Sequence, residues 1–393
     1  MNAIRCLILS ASLALAAHAD FPGAAGNYGG LIQTADANFL TAGALTILLE
    51  DSGQFTAKLT WEGDKYSFKG HFDPTAATFT RDFAKLGETG TTLALALLLD
   101  AGNRAVTGTL DEKIGGSSTL TANLSLSGAP PDTAAGNAYA GTTSTTFINP
   151  PGYGNTPQAI LGDGFTIVRV GQSAHRPGRF VGRLPDAEPY SGGSVLRGTD
   201  FTLYSSLYRK LNRAGGLAFG QVSAADLASL NSVILWAKRA GADPKYYDQG
   251  FATGFGIVGQ AYPGDIPGGI PPIGIQPGPV AATITFADGN LGEYNPGNPV
   301  TFTAPIRINA FRVKVFTPNV YQVQLTTDAA AATFEGTFVH PISGKLTPFR
   351  GGFKSASGNT PGEGRGSFKG SLAPGDTDPA HFRMSGSVRI TVD

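Results

Sequence analysis

Phe334-Glu335-Gly336-Thr337-Phe338, followed after a loop bearing Pro341, Gly344 and Pro348 by Phe349-Arg350-Gly351-Gly352-Phe353, constrains this chain more than any other stretch. Side chains of a strand alternate between its faces, so Phe, Gly and Phe at i, i+2 and i+4 share one face, while Glu335, Thr337 and Arg350 take the other. The two halves form a hairpin with one oily side. A glycine between two aromatics leaves a notch that an aromatic of the next strand can fill, a device that lets a sheet curl.

The same grammar runs through the rest of the chain. Phe55 to Leu59 carries it with alanine in the notch, Phe68-Lys69-Gly70-His71-Phe72 repeats it, and Phe180 to Leu184 gives a further copy. The order of apolar strand, turn and motif recurs at 45–59, 165–184 and 323–338, which reads as a degenerate internal repeat of uneven spacing. With 54 Gly, 26 Pro and only 15% charged residues against 41% hydrophobic ones, the chain suits many short strands joined by tight turns. The expected fold is all-β, of antiparallel curled sheets or barrels with little helix. A short helical turn is expected at 224–229, where Ser223 would cap it, before a strand reaching Ala237.

Residues 1–19 read as a signal peptide, with Arg5 before the apolar run Leu7 to Ala17 and a small-x-small site at Ala17-His18-Ala19. A secreted location follows: periplasmic, cell-surface or extracellular. The run is too short to span a bilayer, and no transmembrane helix is expected elsewhere. Cys6, the single cysteine, lies before that run, so buried area and not disulfides must hold the mature chain. Three β-modules are expected at 20–130, 131–262 and 281–393, the last two separated by a Pro- and Gly-rich loop at 263–280.

The 29 basic and 29 acidic residues balance, so overall composition gives no footprint for nucleic acid or anionic lipid. Nucleophile signatures are absent: there is no Gly-x-Ser-x-Gly elbow and no phosphate-binding loop leading into a helix. No catalytic residue is assigned. Carboxylates such as Asp186, Glu188, Asp243, Asp248 and Glu363 would serve a polysaccharide hydrolase if the fold brought two of them across a cleft. Asp376, Asp378 and His381 have the spacing of oxygen ligands around a hard cation such as calcium, although the same residues make ordinary turns. His71 and His340 read as solvated side chains.

Aromatic residues concentrate in the middle module. Trp236, Tyr246, Tyr247, Phe251 and Tyr262, with Tyr204, Tyr208 and Phe255 nearby, could line a groove for a glycan or for another surface protein, flat rings with polar tips suiting both. The alternative is that they are core. Tyr246 and Tyr247, being adjacent, would point to opposite faces if extended. A transmembrane barrel would use the same alternation with the Phe and Leu face turned outward to lipid.

The Phe-x-Gly-x-Phe hairpins, the lead-in from Lys345 to Phe349, and Trp236-Ala237-Lys238 followed by Tyr246 to Phe251 resemble the Gly- and Phe-rich β-modules of large secreted bacterial proteins. A weaker likeness is to the β-barrels of surface-exposed bacterial lipoproteins. These resemblances imply architecture and carry over no catalytic residue. The reading is therefore a secreted, non-enzymatic binding or structural module, with a polysaccharide hydrolase and an outer-membrane barrel as alternatives.

Overall fold

The structure, a computed structural model, describes residues 20–34, 40–129, 138–148, 160, 162–169, 178–194, 196–197, 200–208, 215–223, 233–243, 245–247, 249–262, 279–292, 300–309, 312–328, 333–354, 363–376 and 383–393. It is all-β, and its strands form three antiparallel sheets. The helical turn expected at 224–229 lies outside the described residues.

The first sheet contains β1 (Gly26–Thr34), β2 (Ala42–Leu49), β3 (Gln54–Trp61), β4 (Asp64–His71), β5 (Thr78–Ala84), β6 (Thr91–Asp100), β7 (Ala105–Ile114) and β8 (Ser117–Ala129). Their order, β4-β3-β2-β1-β8-β7-β6-β5, is a meander whose last strand pairs with its first. A seam is left between β4 and β5. Aromatic packing crosses it: Phe68 lies 5.0 Å from Phe83 and 6.0 Å from Phe79, centroid to centroid.

The second sheet repeats the plan with nine strands. These are β9 (Ala138–Ile148), β10 (Gly164–Arg169), β11 (Gly178–Arg183), β12 (Pro189–Ser194), β13 (Leu196–Arg197), β14 (Asp200–Leu207), β15 (Gly216–Ser223), β16 (Val233–Lys238) and β17 (Phe251–Tyr262), and β17 closes on β9. Here Ser205 on β14 bridges to Ser191 on β12, donating to its carbonyl at 3.1 Å and accepting from its amide at 3.3 Å.

The third sheet has β18 (Val280–Asp288), β19 (Thr301–Asn309), β20 (Arg312–Val315), β21 (Gln324–Asp328), β22 (Thr333–Val339), β23 (Leu346–Lys354), β24 (Glu363–Lys369) and β25 (Ser385–Val392), with β25 closing on β18. The two eight-stranded sheets are thus nearly closed barrels. The recurring segments noted in the sequence do not hold equivalent places. The first two fall on the second and third strands of their sheets, whereas 323–338 falls on the fourth and fifth of its own.

Side-chain size explains how these sheets curl. Phe334 faces Gly351 across the ladder, and Gly336 faces Phe349. A Cβ on Gly351 would stand 2.1 Å from the Phe334 ring, and one on Gly336 would stand 2.6 Å from the Phe349 ring. In the first sheet Phe55 fills the space over Gly70 in the same way, 2.4 Å from where its Cβ would be. Each ring lies over a neighbour that has no side chain, so bulky residues fit inside a narrow barrel.

The Phe and Leu faces are inside. Phe334, Phe338, Phe349 and Phe353 are each at most 2% exposed, and Leu93, Leu95, Leu97 and Leu99 alternate inward along β6. Lys58, Lys65 and Lys69 are on the outside. A lipid-facing barrel needs the reverse assignment, so that reading of the alternation is corrected: the apolar residues are consumed in filling the barrels. No helix among the described residues is long and apolar enough to cross a membrane.

Candidate functional site

A cleft of about 300 Å³ opens where the first and second sheets meet. The first sheet contributes Glu62 from the β3–β4 turn, Asp64 at the start of β4, and Lys85, Leu86 and Glu88 from the loop after β5. Tyr208 after β14, Gly215, and Arg239 to Ala242 after β16 form the other wall. Tyr204 pins the two sheets beside it, its hydroxyl donating to the Ala42 carbonyl at 3.2 Å and accepting from the Gly63 amide at 3.1 Å.

Lys85 is the centre of the cleft's charge. Its ammonium meets Glu112 at 2.8 Å, Glu62 at 3.3 Å and Glu88 at 3.3 Å, while its side chain is only 6% exposed. Burial alone would lower the Lys85 pKa, but the Glu112 hydrogen bond and the charges of Glu62 and Glu112 outweigh it and hold the group above its ordinary value. Glu62 is shifted the other way for a carboxylate: burial raises its pKa, and Lys85 and Arg239 offset this only in part. The pair looks favourable from the ammonium and unfavourable from the carboxylate because Lys85 is shared among three acids. Around it the cleft keeps an excess of negative charge.

Behind the Tyr208 wall runs a buried polar chain. The Trp236 indole donates to the Tyr208 hydroxyl at 3.2 Å, and that hydroxyl donates to the Asp186 carboxylate. Asp186 also accepts from the Glu188 amide at 2.9 Å. Burial pushes the Asp186 carboxyl up to about 6, against the pull of the Tyr208 and Glu188 hydrogen bonds. Lys238, 2% exposed, donates to the carbonyls of Asp243 at 3.2 Å and Tyr247 at 3.0 Å and to that of Tyr246, with the Tyr208 and Tyr247 rings beside it. The Trp236-Ala237-Lys238 run and the tyrosines after it are therefore one structural unit, in which the lysine ties down its own loop.

The aromatic residues singled out in the sequence come together, but as packing. Trp236 is fully buried, 4.6 Å edge-on from Phe251, which is itself 8% exposed. Tyr247 is buried, its hydroxyl accepting from the Ser385 amide at 3.0 Å and paired with the Ser385 hydroxyl at 2.8 Å. Tyr246 is partly exposed, donating to the Gly370 carbonyl at 2.8 Å and lying between Lys369 and Arg383. The two tyrosines do not face opposite ways as extended residues would. Tyr247 has φ +50°, and both hydroxyls reach the third sheet and its flanking loop. Tyr262 ends β17 opposite Ala138, and its side chain lies outside the described residues. Trp236, Tyr247 and Phe251 thus present little surface to a ligand.

Of the metal-like cluster, Asp376 is in a turn, while Asp378 and His381 lie outside the described residues. No group of three metal-ligating side chains occurs among the described residues. His340 corrects the reading of a solvated histidine. It is fully buried, with Nε2 donating to the Gly289 carbonyl at 3.0 Å and Nδ1 accepting from the Ser343 amide at 3.3 Å, and its ring lies against Phe338. His71 is on the surface, with Nε2 bonded to the Ser52 carbonyl at 2.9 Å. The sequence reading missed Glu62, Lys85, Glu88, Glu112 and Arg239. Glu62-Gly63-Asp64-Lys65 carries a turn signal, and nothing local announces its partner at Lys85.

No protein-family model and no curated protein matches this chain. Among solved structures, a double mutant of the vaccine antigen transferrin-binding protein B from Haemophilus parasuis aligns with 94% of this chain and 75% of its own, at 10% identity and a TM-score of 0.21. A protein of unknown function from the DUF3598 family of Nostoc punctiforme aligns with 61% of this chain and 96% of its own, at 12% identity and a TM-score of 0.20.

Proposed function

We propose that this protein is a secreted, non-enzymatic binding module of the bacterial envelope or extracellular space, and that its three sheets act as successive β-modules. The cleft between the first and second sheets is its ligand site, and a hydroxyl-rich glycan is the ligand class it suits. One observation supports this above the rest: the Phe and Leu faces of the sheets are buried, while the junction of the first two sheets holds a cleft of about 300 Å³ lined by Glu62, Asp64, Lys85, Glu88 and Arg239. Charged side chains fixed on two rigid sheets offer several hydrogen bonds to sugar hydroxyls.

A glycan array probed with the full chain and with Glu88→Gln and Arg239→Ala variants tests the reading. Binding to one or more glycans, weakened in both variants, is expected; no signal on any glycan would leave a scaffold. Polysaccharide hydrolysis at the same cleft is the second reading, favoured by the raised carboxyl of Glu62 in a cleft that Glu88 also lines. Release of reducing ends by the chain, abolished in Glu62→Gln, would establish it instead.

A further inference from the structure

The outward face of β3 and β4 carries a charge pattern that the balanced composition hides. Along β3 the outward side chains are Gln54, Thr56, Lys58 and Thr60, and along β4 they are Lys65, Ser67, Lys69 and His71. The ladder places Lys58 opposite Ser67, Thr60 opposite Lys65 and Thr56 opposite Lys69. Lys58 therefore sits diagonally between the other two lysines, about 7–8 Å from each. Lys65 and Lys69 are about 13 Å apart along their strand.

All three lysines are exposed, and none has an acidic partner among the described residues. The acids nearest in sequence, Glu62 and Asp64, line the cleft. Asp82, across the seam on β5, makes no ion pair with any of the three. Arg81 extends the basic strip over the seam: it donates to the Lys69 carbonyl at 3.2 Å and lies against the Phe68 and Phe83 rings.

We infer that this face is a second binding surface, separate from the cleft, and that it docks an acidic polysaccharide. Charge complementarity identifies the occupant: unpaired ammonium groups spaced along a flat strand pair suit anionic groups repeated along an extended chain. The hydroxyls of Thr56, Thr60 and Ser67 between them suit the sugar hydroxyls in the intervals. The face exposes no Phe, Tyr or Trp ring on which nucleobases could stack, and its one imidazole, His71 at the edge, is bonded to the Ser52 carbonyl and lies 3.9 Å from Asp20. It also lacks the apolar side chains that would enter a bilayer.

The test is titration of the full chain with dextran sulfate and polygalacturonate at rising salt, with neutral dextran, phosphatidylglycerol vesicles and duplex DNA as the other arms. Binding to one or both acidic polymers is expected to weaken steeply with salt, whereas any binding of dextran, which carries no charge, should be insensitive to it. The two polymers distinguish sulfate from carboxylate recognition. Replacing Lys58, Lys65 and Lys69 together by Gln should weaken that binding by roughly tenfold or more. Replacing Lys113, Lys245 and Lys345, which are scattered over the three sheets, should leave it within about twofold although the charge removed is the same.

The cleft is read by the glycan array with Glu88→Gln and Arg239→Ala, and this face by the salt-dependent loss in the triple lysine variant, so failure of the cleft reading and of this one are separate results. Equal loss in the scattered-lysine variant, retained binding without the three lysines, or vesicles or DNA binding as tightly as the polysaccharides would each overturn the inference.

Discussion

The Phe334 ring occupies the space over Gly351, 2.1 Å from where a Cβ on that glycine would stand, while the Arg365 carbonyl lies 2.4 Å from the same point. Ring and backbone meet without an intervening side chain, and neither boundary is the free end of a flexible group. Alanine at Gly351 should therefore destabilise the chain by about 1–3 kcal/mol as an overpacking change. Gly193, with nothing within 4 Å of its Cβ position, is the matched control and should shift stability by less than about 0.5 kcal/mol. Urea denaturation of both variants is the measurement; equal effects would show that the notch is not filled.

Asp186 makes stability depend on pH. Its folded carboxyl is raised to about 6 from the ordinary 3.8, so the folded state holds the proton more tightly than the unfolded chain. The stabilisation is fully present below about pH 4 and is lost as pH rises through about 6. Asp186→Asn should therefore gain on the unaltered chain between pH 4 and pH 7. His340, whose pKa burial lowers, works in the opposite direction, losing stability as pH falls below its ordinary value, and it is common to both proteins. Urea midpoints at several pH values would show the effect as a widening difference; a constant difference would contradict it.

Lys85→Met should leave Glu62 and Glu112 facing each other without their shared cation. Breaking a buried charge cluster from one side costs about 3–5 kcal/mol. Because burial already raises the Glu62 pKa, protonation relieves part of the cost, and the deficit should shrink as pH falls toward 5. A deficit independent of pH would place these carboxylates in solvent.

Trp236→Phe separates packing from recognition. The indole is wholly buried and donates to Tyr208, so its loss should cost about 1–3 kcal/mol by removing that hydrogen bond while leaving any glycan affinity unchanged. Loss of binding with stability intact would return the ring to the ligand site.

Much of the architecture was legible because its determinants are local. Period-2 alternation with glycine between aromatics signals a strand and its inner face, and the partners that fill the notches, Phe334 with Gly351 and Phe349 with Gly336, lie in one hairpin. The cleft was not legible, since Lys85 meets Glu112 only after β5 to β7 have paired, and meets Glu62 only across the seam. His340 likewise owes its burial to Gly289, 51 residues away. Tyr246 and Tyr247 defeated alternation through a single positive φ, which side-chain composition does not encode.

Solvent access to the chain's two tryptophans tests most directly whether the apolar faces line filled barrels. Trp61 is 1% and Trp236 0% exposed. Fluorescence of the native chain should be blue-shifted and quenched neither by iodide nor, with vesicles present, by brominated lipids, and should become iodide-sensitive only on unfolding. Iodide quenching in the native state would mean open barrels, and quenching by brominated lipid would mean that the apolar face looks outward; either result contradicts the structure and the cleft that depends on it.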